Sequence, residues 1–166
     1  KRLRQNIIII NRGVSNIGSD SVWITGDIGT IRFSSDGGLN FSSQPSNTQE
    51  YLFGSSFINS SEGWIASDNG HVLHTTNFGQ SWTQQTTPVG SRFYDIKFFD
   101  SQYGWAVGRD GSIVSTTDGG TNWVRQTSNT IERLYGVDFT DRNNGWVVGW
   151  NGVVLHTTDG GTNWQI

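Results

Sequence analysis

Apolar residues along this 166-residue chain come in short runs, each closed by a cluster of Gly, Asp, Asn, Ser or Thr. Runs of that kind, rich in aromatic and β-branched residues, predict strands joined by tight turns. Residues 93–133 show the pattern. Phe93 to Phe99 is a first strand, and Asp100 to Gly104 turns the chain. Trp105 to Gly108 is a second strand, followed by a tight turn at Arg109, Asp110 and Gly111. Ser112 to Thr117 is a third strand, Asp118 to Gly120 turn the chain again, and Trp123 to Thr127 is a fourth. Leu134 to Thr140, Trp146 to Gly149, Val153 to Thr158 and Trp164 onward repeat the series. The longest wholly apolar run, Ile7 to Ile10, suits a buried strand.

The same phase runs through the whole chain. Trp23, Trp64, Trp105 and Trp146 are spaced by 41 residues. So are Asp36, Asn77, Asp118 and Asp159, and so are Phe41, Trp82, Trp123 and Trp164. Gly29, Gly70, Gly111 and Gly152 keep that spacing too. Coincident ladders without insertion mark a structural repeat. A lone four-stranded sheet cannot cover both its faces, but sheets stacked around an axis can. The expected fold is therefore an all-β propeller of four 41-residue, four-stranded blades, forming one domain over residues 1–166. A β-sandwich is the alternative, but it needs no fixed period.

The chain ends just after Trp164, short of a complete last strand for the fourth unit. Lys1 to Ile7 aligns with Thr83 to Val89 and with Val124 to Thr130, so an N-terminal strand is expected to complete the last blade. The first strand of unit one is then roughly Asn11 to Ile17. A closed ring, a half-ring paired with a second copy, and a segment of a longer array all fit the ladder.

Composition narrows the chemistry. The 22 glycines argue against a helical domain, because Gly weakens helix interiors. A net charge of -3 supplies no field to draw nucleic acid. Without cysteine there are neither disulfides nor thiolate metal sites. No apolar run approaches the ~20 residues that span a bilayer. The basic start, Lys1, Arg2 and Arg4, is either a contact or a solvated strand end.

The turn between third and fourth strands falls at residues 34–41, 75–82, 116–123 and 157–164, and the last two copies read TTDGGTNW. This sequence resembles the Asp-box, or BNR repeat, of sialidases and related propellers. The fuller pattern, GW-x-V-G-x-x-G-x-I-x-x-TTDGGTNW, resembles the Ycf48 family of photosystem II assembly factors. The resemblance covers all four units and is clearest in the last two. Unit one departs most, with Phe41 for Trp and Val22 where the others have Gly; unit two has Asn77 for Asp. The box has a local physical role. The Asp or Asn oxygen accepts turn N–H groups, the preceding Ser or Thr ties the same turn, and the aromatic buries area. Asp36, Asn77, Asp118 and Asp159, with Phe41, Trp82, Trp123 and Trp164, are thus read as turn fasteners. Asn77 favours this reading, since an amide is a poor general base.

Chemistry is hard to find in the remainder. A sialidase needs an arginine cluster, a tyrosine nucleophile with a glutamate, and an acid/base aspartate. Arg92 and Arg133 fall at matching places, but no third arginine does. His74 and His156 share one repeat position in units two and four, filled by Phe33 and Ser115 in the others. A metal shared by neighbouring blades would lack a partner ligand, and no phosphate-loop spacing occurs. No cofactor, metal or catalytic residue is expected.

Binding is the expected activity. Turns between second and third strands share a face with the links between blades, opposite the Asp-box turns. These turns read Asp27-Ile28, Asp68-Asn69, Arg109-Asp110 and Trp150-Asn151. An exposed Trp beside a polar rim is a common interface anchor. Trp150, Arg109, Arg92, Arg133, Asp110 and Asn151 are therefore the candidate partner-binding residues, and Trp150 folded onto Ile131 is the bland alternative. The resemblance implies a non-enzymatic protein-binding module, secreted, periplasmic or at the cell surface, acting in assembly. A carbohydrate-binding propeller and a structural subunit of a virion, fibre or filament are the alternatives, and a homo-oligomer is compatible with each.

Overall fold

The computed structural model describes residues 8–166. Its strands form four antiparallel sheets, one per unit. The first holds β1 (Asn11–Ile17), β2 (Ser21–Gly26), β3 (Ile31–Ser34) and β4 (Ser42–Gln44). The second holds β5 (Leu52–Phe57), β6 (Gly63–Ser67), β7 (His71–Thr75) and β8 (Thr83–Thr86). The third holds β9 (Phe93–Phe98), β10 (Gly104–Gly108), β11 (Ile113–Thr116) and β12 (Val124–Gln126). The fourth holds β13 (Leu134–Phe139), β14 (Gly145–Gly149) and β15 (Val154–Thr157), with Gln165 bridging to His156 in place of a fourth strand. The expected completion of this blade by residues 1–7 lies outside the described residues. The fold is an all-β propeller of four blades, and β1 begins where the repeat phase places it.

Three buried clusters hold the blades together, each formed between neighbours. Trp23 and Ile31 of blade one pack on Leu52, Phe57 and Trp82 of blade two. Trp64 and Val72 pack on Phe93, Phe98 and Trp123. Trp105 and Ile113 pack on Leu134, Phe139 and Trp164. At each junction the tryptophan stacks on a phenylalanine, Trp23 on Phe57 at 3.8 Å, Trp64 on Phe98 at 3.6 Å and Trp105 on Phe139 at 3.5 Å. The Asp-box tryptophans Trp82, Trp123 and Trp164 meet the same phenylalanines edge-on.

Glycine makes room for those rings. Phe57, Phe98 and Phe139 pair in register with Gly63, Gly104 and Gly145. A Cβ on any of the three would strike the ring. In unit one Asn16 pairs with Val22, so Phe and Gly are replaced together. This accounts for the departure at Val22; Phe41 has no phenylalanine in its own unit to meet and is 39% exposed, on a face of blade one where Val14 is exposed as well.

Hydrogen bonds cross between the inner strands as well. The Phe98 N–H donates to Ser56 Oγ at 2.9 Å, and Val137 N–H donates to Asp95 Oδ2 at 3.0 Å. Thr25 Oγ1 donates to the Phe53 carbonyl. Asp95 stands where the other units have Gly13, Gly54 and Gly136, and Gly54 leaves the space its carboxylate fills. Burial pushes the Asp95 carboxyl above its ordinary value, against the pull of the Val137 N–H.

One expectation fails. Ile8, Ile9 and Ile10 belong to no strand and are exposed. They hold the place of a link between blades, where the Ile10 carbonyl accepts the Asp27 N–H at 3.0 Å. Arg92 and Arg133 do the same for Arg109 and Trp150.

Candidate binding face

The Asp-box turns are closed hydrogen-bond systems. Asp118 Oδ1 accepts from Thr116 Oγ1 at 2.9 Å and from the Asn122 N–H at 2.8 Å, while Oδ2 accepts from Asn122 Nδ2 at 2.7 Å. Thr116 Oγ1 in turn accepts the Gly120 N–H at 2.9 Å. Asp159 and Asp36 repeat this set with Thr157 and Ser34. Asn77 keeps it through Thr75 and Ser81. The second glycine, Gly120 or Gly161, has φ of 88°, a conformation open to Gly at little cost. Asp36 is lowered from 3.8 to about 2, first by the Ser34 hydroxyl and then by Asn40. Asp118 and Asp159 are lowered too, mainly by Asn122 and Asn163. These carboxylates are held as ionised acceptors, the opposite of what a general acid needs.

On the other face, the second residue of each turn between second and third strands is left-handed. Ile28, Asn69, Asp110 and Asn151 have φ of 54°, 58°, 58° and 55°. Asn and Asp suit that region, whereas a β-branched Ile is strained there. The turns are tied to the inter-blade links. Asn69 donates to Glu50 Oε1 and Asn151 to Glu132 Oε1, both at 3.1 Å. Glu50 also receives Ser67 and His71, and these bonds outweigh burial and lower its pKa.

Arg109, Asp110, Ile131, Glu132, Arg133 and Trp150 line a cleft of about 350 Å³. Trp150 is 55% exposed. Its ring meets Tyr135 edge-on at 6.5 Å. Tyr135 meets Tyr94 at 5.1 Å, and Tyr94 meets Phe53 edge-on at 5.6 Å. These rings form one aromatic row across three blades. The guanidinium of Arg12 lies 5.1 Å from the centre of the Phe53 ring, and that of Arg92 lies 5.0 Å from it.

The arginines differ in how they are engaged. Arg12 pairs with Asp27, and Arg92 with Asp68. Arg109 reaches Asp110 at 3.5 Å. Arg133 makes no ion pair among the described residues; the Tyr135 hydroxyl beside it, then Tyr94, hold its pKa above the ordinary value. The structure thus gathers Trp150, Arg109, Arg133 and Asp110 in one cleft and sets Asn151 at its rim, bonded to Glu132. Arg92 stands apart, spent on Asp68 and Phe53. The sequence reading missed the row as a row, although Arg12, Phe53, Tyr94 and Tyr135 are spaced by 41 residues.

Larger hollows exist, among them one of about 660 Å³ along residues 125–131 and one of about 630 Å³ between the Asp-box ends of blades three and four. Polar groups in the second are already satisfied, Arg142 by Asp100, Gln126 by the Gly160 carbonyl and Asp159 by Asn163. Among the described residues no cluster of three His, Asp or Glu is arranged to hold a metal ion, and no helix is long and apolar enough to cross a membrane.

The sequence profile of a family described as photosynthesis system II assembly factor YCF48 matches residues 12–89 and 80–166. The chain belongs to that family. Among solved structures it is similar to YCF48 from Cyanidioschyzon merolae, with TM-score 0.73 and 17% identity, over 95% of this chain and 55% of that one. The chain thus spans little more than half of that relative. It is also similar to a YCF48 bound to D1 peptide, with TM-score 0.66 and 19% identity, over 98% of this chain and 84% of that one. An ancestral GH74 enzyme shares the fold, with TM-score 0.73 and 18% identity over 93% of this chain and 23% of that one. No curated protein matches the chain.

Proposed function

We propose that this protein is a non-catalytic module that binds a carboxylate-bearing protein segment along the Trp150–Tyr135–Tyr94 row. The observation that supports this most is Arg133, a cation without an acid partner among the described residues, beside the exposed Trp150. An exposed indole supplies apolar area at small entropic cost, and a guanidinium offers a fork for a carboxylate. The relative solved with D1 peptide supports a peptide as the ligand class. A location outside the cytosol belongs to the same proposal, and fractionation of source cells checks it. Screening wild type against a peptide display library gives the segment; Trp150→Ala with Arg133→Ala weakens its binding at least thirty-fold, about 2 kcal/mol. Unchanged affinity in the folded double variant removes the reading. A glycan ligand is the second reading, favoured by Trp150 beside Asn151 and Asp110, and binding on a glycan array that is lost in Trp150→Ala selects it.

A further inference from the structure

The hollow between the Asp-box ends of blades three and four coincides with a break in the repeat. In three units a ring meets the tryptophan of the second strand: Phe33 meets Trp23 at 4.8 Å, His74 stacks on Trp64 at 4.5 Å and His156 on Trp146 at 4.7 Å. Unit three has Ser115 at that place, paired with Trp105 across the strands. A second exchange accompanies the first. Glu62, whose Oε1 lies 3.4 Å from His74 Nε2, gives way 41 residues later to Tyr103. Tyr103 packs against the cluster that contains Trp105, and the indole stays covered. A hydroxyl thus stands where the other units have a ring, and a hollow of about 630 Å³ opens over it.

The groups around this hollow suit one kind of ligand. Val124 lies on the same side of the sheet as Ser115, is 63% exposed and gives an apolar floor. Tyr103 forms one end, with the Arg142 guanidinium 4.3 Å from its ring centre. The lining charges are engaged. Arg142 is held by Asp100 at 2.8 Å, and Asp159 by Asn163 at 2.7 Å. Arg125 also borders the hollow, but strand alternation sets its side chain with Val114, on the side of β12 that faces blade two. Neutral groups remain. The Tyr103, Thr117 and Thr127 hydroxyls and the Asn143 side-chain amide form no hydrogen bond among the described residues. Ser115 Oγ accepts from Gln126 Nε2 at 3.0 Å and keeps its own proton to donate.

We propose that this hollow binds an uncharged pyranose ring. Such a ring has an apolar C–H face, which fits Val124 and Tyr103, and a rim of hydroxyls, which fits convergent neutral donors and acceptors. A plain aromatic ring would cover those polar groups and leave them unbonded, and a carboxylate would find no unengaged cation. The site lies on the Asp-box face, opposite the Trp150 cleft, so it rests on neither reading of that cleft.

The test is saturation-transfer difference NMR on the whole chain with the methyl pyranosides of glucose, galactose, mannose and N-acetylglucosamine, each at about 5 mM to reach weak affinities. At least one is expected to receive saturation and to shift the side-chain amide signals of Asn143 and Gln126. Ser115→His restores the residue that units two and four carry, and is expected to abolish the transfer without moving the urea midpoint. Val124→Arg closes the same space from an exposed position, so it serves even if Ser115→His fails to fold, and is expected to weaken binding at least ten-fold. Trp150→Ala is expected to change nothing. Four results overturn the proposal: no transfer to any of these pyranosides, transfer that survives the folded variants, transfer lost in Trp150→Ala, or displacement of the sugar by an equal concentration of p-cresol, which makes an aromatic ring the occupant.

Discussion

Trp105 and Trp146 occupy one repeat position, so Trp105→Ala and Trp146→Ala remove the same atoms from two environments. Full burial of an indole removes about 150–250 Å² from water. At about 25 cal/mol per Å² that is about 4–6 kcal/mol, of which the retained alanine methyl keeps about 1. Trp105 is 2% exposed and stacks on Phe139 at 3.5 Å. An aromatic pair adds about 1 kcal/mol, so Trp105→Ala should cost about 4–6 kcal/mol, at the upper end of what large aromatics in cores lose. The Gly160 carbonyl keeps its bond from Gln126 Nε2, so no unpaired acceptor adds to the loss. Trp146 is 42% exposed and lacks the phenylalanine, so its removal should cost about 2 kcal/mol. Urea unfolding followed by circular dichroism measures both, and the comparison holds if the two variants share one m-value. Costs within about 0.5 kcal/mol of each other would refute the reasoning, because burial by the next blade would then not be what distinguishes the sites.

Three further outcomes are expected. Ile28→Asn relieves a β-branched residue at φ 54° and should stabilise by about 1 kcal/mol in the same urea assay. Gly104→Ala sets a methyl against the Phe98 ring and should destabilise by about 1–3 kcal/mol, with loss of near-ultraviolet signal from the Trp64 stack. Asp36, Asp118 and Asp159 have folded pKa values below the ordinary 3.8, so their stabilisation is present above that value and is lost as pH falls through the lowered values, which for Asp36 is about 2. Replacing all three by Asn, as unit two already has at Asn77, should flatten the fall in Tm between pH 4 and pH 2. Asp95 has the opposite sign: its raised pKa makes stability fall as pH rises through that value, and Asp95→Asn should remove this loss.

The 41-residue ladder made the blades legible, because each rung repeats one residue type in one environment. Strand limits near Asn11, Phe93 and Leu134 follow from it directly. The aromatic row was harder to see, since its rungs Arg12, Phe53, Tyr94 and Tyr135 change type while keeping place. The Phe–Gly pairs carry a signal as strong as the tryptophans, but it spans two strands and emerges only when register sets Phe98 against Gly104. Val22 was visible as a departure, yet its meaning depends on Asn16 across the strand pair. The exposure of Trp146 has no local signature at all. Its segment reads like that of Trp105, and only a neighbouring sheet decides whether the ring meets water. Ile8 to Ile10 misled for a related reason, because apolarity predicts burial only where a sheet is available to receive it.

The tryptophan–phenylalanine junction has a direction, since each of the first three units is covered by the one that follows it. A ribosome delivers units in that same order. Each unit leaving the exit tunnel caps its predecessor and exposes a fresh indole plane of its own, so the nascent chain carries an adhesive leading edge that advances one unit at a time. Holding factors acting during synthesis would meet the same kind of aromatic platform at every stage, and the interval between platforms is set by how fast 41 codons are read.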